Sequence, residues 1–213
     1  MGPDGLRFDP ESSAGPRLET RRTSRLSPLW LTGVGAIVAP ALHSATDVME
    51  WMNGGFTRLQ LLLNYAAFLP LPAIMLGLHA AQHGRGRWPS LLGALGYGFA
   101  FVYFAHTTLL ALESDLPTYE DLWVRLGVTY TWHGALMIAS GVAFGIASLR
   151  ARVYPTWACS AFLAGLGVNF TLALLPLPDL LQTVGTLMRN AGLAGMGASL
   201  VQRLAESSGA SQP

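Results

Sequence analysis

Residues 28–50 read PLWLTGVGAIVAPALHSATDVME, an apolar run that carries one histidine and, near its end, two acidic residues. A hydrocarbon core about 30 Å thick takes about 20 helical residues at about 1.5 Å each, and this run has that length. Five runs of similar length follow, at residues 57–80, 89–113, 122–149, 154–175 and 179–203. The predicted fold class is therefore all-α: a polytopic membrane protein, a bundle of six transmembrane helices with short loops.

The composition agrees with a membrane protein. Hydrophobic residues make up 51% of the 213 residues and charged residues only 12%, against about 25% charged in soluble domains. Residues 28–203 are thus interpreted as one six-helix transmembrane domain. Residues 1–27 and 204–213 are polar and lack apolar periodicity, so we expect two disordered cytoplasmic tails.

Some chemistries are excluded by residue types that the chain lacks. Cys159 is the single cysteine, so no intrachain disulfide can form, and the absence of lysine excludes a Schiff base. The expected partners are the lipid bilayer and a small-molecule or ion ligand, with no nucleic acid.

The arginines predict the orientation. If six helices cross the membrane, ten of the thirteen arginines fall in the tails and loops of one side, and only Arg58 and Arg125 lie in the opposite loops. Arginine is enriched on the cytoplasmic side of short membrane loops. We therefore expect a multi-pass protein of the cell inner or plasma membrane, with both termini cytoplasmic.

Each apolar run also carries a polar residue at a similar depth, about seven to ten residues from the same side of the membrane by helical rise. These residues are His43, Asn64, His106, His133, Asn169 and Arg189. Ionisable groups within membrane helices face the interior of the bundle and mark functional sites. The sequence therefore predicts a polar layer in the outer half of the bundle.

Helical spacing extends this layer, because residues three, four or seven apart share one helix face. Four such stripes are His43, Asp47 and Glu50; Tyr103, His106, Leu110 and Glu113; Thr129, His133 and Ser140; and Gln182, Thr186 and Arg189. Arg189 is expected to pair with Asp47. The predicted polar site comprises His43, Asp47, Glu50, Asn64, His106, Glu113, His133, Asn169 and Arg189.

Several functions fit this pattern, and the sequence identifies no catalytic residue. The first hypothesis is binding or translocation of a small solute or ion, in which Arg189 holds an anionic group and the histidines relay protons. One alternative is a membrane-embedded metal-dependent enzyme with His43, His106 and His133 as ligands. Others are a redox protein that uses quinone or a single haem, held for example by His106 and His133, and an accessory membrane subunit.

Two further features lie in the second run and its end. Pro70 and Pro72 predict a kink, because a proline ring removes a backbone hydrogen bond and clashes with the preceding turn. His79 and His83 have the i, i+4 spacing of a metal-binding pair, but they adjoin an Arg- and Gly-rich loop. We expect them to form a solvated rim.

Overall fold

A computed structural model describes residues 27–82, 87–175 and 180–209. This part of the chain is all-helical and contains no strand, which confirms the all-α part of the predicted fold class. Its helices are α1 (Pro28–Asn53), α2 (Arg58–Phe68), α3 (Leu71–Ala80), α4 (Arg87–Glu113), α5 (Tyr119–Leu126), α6 (Val128–Ala151), α7 (Thr156–Leu174) and α8 (Leu180–Gly209). The N-terminal tail, apart from Ser27, lies outside the described residues, as does His83.

Four of these helical stretches are long and apolar enough to cross a membrane: Pro28–Asn53, Arg58–Ala80, Arg87–Glu113 and Val128–Ala151. The fifth and sixth predicted spans are less apolar or shorter. The apolar part of α7 is Thr156–Leu172, and α8 carries more polar side chains, including Arg189. The structure thus supports a membrane protein with four spanning helices by length and composition.

The second span is broken at the prolines, as predicted. Helix α2 ends at Phe68 and α3 begins at Leu71, with Pro70 between them and Pro72 in the first turn of α3. Proline is tolerated in the first turn, where its missing N–H needs no partner. Together α2 and α3 form one kinked rod.

The fourth predicted span begins too early. It was expected at residue 122, but Gly127 separates the short helix α5 from α6, which begins at Val128. The backbone of Gly127 has φ 55° and ψ −133°, a conformation that is open essentially only to glycine. Helix α5 lies outside the four candidate spans. Its buried Leu122 packs in a small cluster with Leu61 and Ala111.

The long helices form a closed ring. Helix α8 packs on α1 and α7, α7 on α6, α6 on α4, α4 on the α2 and α3 rod, and that rod on α1. Close approach at glycine allows several of these contacts. Gly197 of α8 lies against the backbone of Gly33 in α1, and Gly192 lies against the backbone of Ala158 and Phe162 in α7. Helix α8 runs to Gly209, so it extends beyond residue 203, where the C-terminal tail was expected to begin.

Aromatic side chains fill one half of the ring. Tyr97 packs on Phe101 with ring centroids 4.9 Å apart and on Phe162 at 5.6 Å, and Phe144 follows at 6.3 Å from Phe162. All four side chains are fully buried or nearly so. We call these four residues the aromatic plug.

Candidate functional site

A cavity of about 100 Å³ lies inside the ring, next to the aromatic plug. We call it the inner cavity. It is large enough for several water molecules or a small solute. Its wall combines aromatic and aliphatic side chains with a set of polar ones, namely His43, Asp47, Asn64, Thr107, Thr108, Tyr119, Tyr130, Asn169, Gln182, Thr186 and Arg189. Five predicted site residues therefore meet at one place: His43, Asp47, Asn64, Asn169 and Arg189.

Arg189 is the most unusual of these side chains, because it is only 3% exposed and has few partners. Its Nη1 donates to the sulfur of Met137 at 3.4 Å, and its guanidinium carbon lies 5.7 Å from the centre of the Phe101 ring. The buried Nε finds no acceptor among the described residues. Most of the N–H donors of this guanidinium are therefore available to a ligand or water in the cavity.

The expected ion pair between Arg189 and Asp47 is not formed. No carboxylate oxygen of the described chain lies within 4.0 Å of a guanidinium nitrogen of Arg189. Instead Asp47 Oδ1 lies 3.4 Å from Nε2 of His43, one turn earlier on α1. Arg189 is close enough to act on Asp47 electrostatically, but the two groups share the cavity without touching.

His43 and Asn64 are held in place by their neighbours. The His43 ring packs edge-on against Phe68 with centroids 4.7 Å apart. The hydroxyl of Thr46, one turn along α1, lies 2.7 Å from the backbone oxygen of His43 and 3.2 Å from Oδ1 of Asn64. These contacts tie α1 to α2 and fix two polar walls of the inner cavity. Across it, the buried Oδ1 of Asn169 has no donor among the described residues.

His106 and Glu113 do not reach this site. Both side chains are exposed, and the inward positions of α4 are held by Thr107 and Thr108. Each threonine hydroxyl donates to the backbone oxygen of Phe104 at 2.9 Å, which is how a hydroxyl is satisfied within an apolar helix. The predicted stripe through His106 therefore lies on the wrong face of α4.

His133 also lies away from the inner cavity. Because α6 begins at Val128, His133 is only five residues from its start, and its Nδ1 donates to the backbone oxygen of Thr129 at 2.7 Å. The ring stacks on Tyr103 with centroids 3.5 Å apart. No group of three His, Cys, Asp or Glu in the described chain is arranged to hold a metal ion. The centre of His43, His106 and His133 expected from the sequence is thus not formed, and neither His106 nor His133 lines the inner cavity.

His79 is not a solvated rim residue either. It is 9% exposed, and its Nδ1 lies 2.9 Å from the hydroxyl oxygen of Ser90 in α4. A nearby pair, Gln82 with Ser148 of α6 at 2.8 Å, makes a second link of this kind. Both links tie helices together at the end of the bundle opposite α5.

A second cavity of about 330 Å³ adjoins the first at the α5 end of the bundle. We call it the vestibule. Asp47, Tyr119 and Gln182 line both cavities. The vestibule is acidic, with Asp47, Glu50 and Glu120 in its wall and no Arg or His among the described lining residues. Glu50 accepts from Nε2 of Gln60 at 3.4 Å, so it is fixed against α2.

Tyr119 stands between the two cavities. Its ring packs on Phe56 with centroids 4.9 Å apart. Burial, and after it the neighbouring Glu50 carboxylate, raise the pKa of the Tyr119 phenol well above its usual value. The phenol is therefore neutral and able to donate a hydrogen bond. Nothing in the hydropathy pattern singles out Tyr119, because it belongs to a loop in the predicted topology.

No protein-family model, no curated protein and no solved structure matches this chain. The site geometry itself is therefore the basis for a functional assignment.

Proposed function

We propose that all members of the ring cross the membrane, namely α1, the rod formed by α2 and α3, α4, α6, α7 and α8. Both termini then lie in the cytoplasm, and the vestibule faces outward. The distribution of arginines supports this orientation. Exposed tryptophans support two membrane interfaces, because Trp51, Trp123 and Trp132 lie toward the α5 end and Trp88 and Trp157 toward the other. Amphipathic indoles favour the headgroup region.

We propose that the inner cavity binds a small solute through an anionic group held by Arg189. The observation that carries this proposal is the guanidinium of Arg189, a residue 3% exposed that lines a polar cavity and has no carboxylate of the described residues within 4.0 Å. A buried charge without a counterion costs several kcal/mol. A carboxylate or similar group in the cavity would supply the missing acceptors, and arginine binds such groups in bidentate fashion.

His43 and Asp47 have a second role in this proposal. Their side chains lie 3.4 Å apart, and Asp47 lines both cavities. An imidazole beside a carboxylate can accept a proton on one side and release it on the other. The pair is placed to exchange protons between a bound solute and the vestibule.

In this proposal the solute enters the inner cavity from the vestibule, because the two cavities share Asp47, Tyr119 and Gln182 in their walls. Within the aromatic plug, Phe101 lines the inner cavity, and Tyr97 packs on Phe101 from the side away from α5. A solute that crosses the membrane through this site would require the plug to open. Binding therefore comes first in the proposal, and translocation would add a second conformation.

The proposal is tested by thermal unfolding of the full-length protein in detergent, with acetate, propionate, butyrate, phosphate and chloride as probes. We expect at least one carboxylate to stabilise the protein saturably, as a ligand of the folded state does. This effect should disappear in Arg189→Met and persist in Arg125→Met, a matched control at an exposed position of α5. A stabilisation that survives Arg189→Met, or none with any probe, contradicts the proposal.

Elemental analysis and an absorption spectrum of the same sample test the enzymatic alternatives. One equivalent of tightly bound metal, or a Soret band, would replace the solute-binding proposal by a metal or haem protein. We expect neither to accompany the ligand-dependent stabilisation.

A further inference from the structure

The inner cavity is lined by two charged side chains, Arg189 and Asp47, that do not form an ion pair with each other. On one wall is Arg189, whose Nε finds no acceptor among the described residues. On the other is Asp47, whose buried Oδ1 lies 3.4 Å from His43 and receives no hydrogen bond. A solute that fills the cavity therefore meets a cation at one place and a carboxylate at another.

The route into the cavity adds a second constraint. The described wall of the vestibule contains the carboxylates of Asp47, Glu50 and Glu120 and no Arg or His. Clefts lined by one sign of charge concentrate groups of the opposite sign and repel groups of the same sign. A solute with only a negative charge is disfavoured along this route, whereas one that also carries an ammonium group is attracted.

We propose that the solute is a small zwitterion of the amino acid class, with its carboxylate on Arg189 and its ammonium group on Asp47. This inference rests on the proposed anion-binding role of Arg189 and makes it more specific. A zwitterion adds no net charge to a desolvated site, while an anion alone would place a second negative charge beside Asp47. It satisfies both charged walls at once.

The rest of the cavity fits such a molecule. Its volume of about 100 Å³ admits only a small solute. The lining of the cavity also includes the rings of Phe101, Phe104, Tyr119 and Tyr130. Methylene groups pack on these rings, and the faces of aromatic rings stabilise ammonium groups.

Pairs of molecules with the same shape test the charge requirement. Glycine, β-alanine and 4-aminobutyrate are compared with propionate, butyrate and valerate, in which a methyl group replaces the ammonium group. In 3-methylbutylamine an isopropyl group replaces the carboxylate of β-alanine. Binding of each to the full-length protein in detergent is measured by isothermal titration calorimetry at neutral pH and low salt.

We expect at least one amino acid to bind about tenfold or more tightly than the carboxylate of its own shape. In Asp47→Asn this preference should vanish while the carboxylate still binds. In Arg189→Met neither should bind. Asp47→Glu retains the charge and should keep the preference, which separates a charge effect from a loss of fold. Size-exclusion chromatography confirms that each variant remains folded.

The other outcomes separate this inference from the proposed function. If the carboxylates bind as tightly as the amino acids in an Arg189-dependent way, the zwitterion is wrong and the anion site stands. If 3-methylbutylamine binds as tightly as β-alanine, the site selects cations and the inference fails. If no amino acid or carboxylate binds, or if Arg189→Met binds them as well as the wild type, both proposals fail.

Discussion

At the scale of single residues, the position of Arg189 is the feature that most needs an explanation. Membrane helices carry arginine rarely, and then usually with a carboxylate partner. Here the guanidinium donates a hydrogen bond to a thioether, the sulfur of Met137, at 3.4 Å. A side chain in such a place lowers stability unless a ligand or water completes its hydrogen bonds. The proposed binding role would supply acceptors for this buried charge.

Replacing Arg189 by methionine is expected to keep or raise the melting temperature of the ligand-free protein by a few degrees. Exchange of a buried charge for an apolar side chain of similar volume is often neutral or stabilising by about 1–4 kcal/mol. Thermal unfolding in detergent provides the measurement, and the double variant with Asp47→Asn should show only a small coupling energy, because the two groups interact at a distance and not through a direct contact. A sharp loss of stability, partly recovered on removal of Asp47, would show that the two residues form the direct pair that the sequence suggested.

The histidines are expected to separate by position. His43→Ala should weaken binding of the solute about tenfold, because one hydrogen bond to a charged group contributes about 1.5 kcal/mol or more. His106→Ala should change neither binding nor stability, since this side chain is exposed on α4. Calorimetric titration of both variants gives the answer. Equal losses in the two variants would mean that His106 also takes part.

Part of this site could be predicted from the sequence. His43, Asp47, Asn64, Asn169 and Arg189 share the inner cavity because depth along a helix follows from residue number alone. Depth does not determine which face of a helix a residue lies on. In α4 the sequence pattern placed His106 in the site, whereas Thr107 and Thr108 line the cavity. A weakly amphipathic membrane helix gives little signal of rotation, because its outer face is as apolar as its core.

At the scale of helices, the contact between α7 and α8 positions Arg189. A Cβ on Gly165 of α7 would overlap the backbone nitrogen of Arg189 and the backbone oxygen of Gly185. Backbone atoms cannot turn aside as a flexible side chain can. The absence of a side chain at residue 165 thus allows α8 to lie close enough to present Arg189 to the cavity.

Gly165→Ala is therefore expected to destabilise the protein by about 1–3 kcal/mol, the usual cost of overpacking, and to weaken solute binding by displacing α8. Gly167→Ala is the matched control, because a Cβ there meets no atom within 4 Å. That variant should be neutral or slightly more stable, as for alanine in an exposed helix. Unfolding temperatures and titrations of both variants decide the matter. Equal stability of the two would show that α7 and α8 can separate freely.

The boundary between α5 and α6 could not be predicted from hydropathy. Residues 122–127 are apolar enough to be counted as membrane helix, yet Gly127 turns the chain and α5 becomes a separate cap over the cavity. The consequence is functional, since Tyr119 of α5 lines both the inner cavity and the vestibule. A glycine with positive φ is recognised from the backbone and not from composition.

At the scale of the whole molecule, α8 closes the ring although it is the most polar of the long helices. It packs against α1 and α7 through glycine contacts, and its polar residues Gln182, Thr186 and Arg189 line the inner cavity. The sequence could predict the all-helical class and four spans from long apolar runs. Span counts based on length and composition stop at four because the apolar part of α7, Thr156–Leu172, is short and because α8 contains the polar residues Gln182, Thr186 and Arg189.

The number of membrane crossings and their direction can be decided with single cysteines. Cys159 is the only cysteine, and it is buried, so a Cys159→Ala background leaves each introduced thiol alone. Three exposed positions are useful: Met52 at the end of α1, Leu175 after α7, and Ala205 in α8. In intact cells a membrane-impermeant maleimide should label Met52→Cys and Leu175→Cys, and Ala205→Cys only after permeabilisation.

Labelling at residue 52 without labelling at residue 175 would mean that α7 and α8 do not cross the membrane. Residue 205 does not distinguish the two topologies, because both place it inside. Labelling of Ala205→Cys alone in intact cells would show that the orientation is the opposite one, with the vestibule facing the cytoplasm.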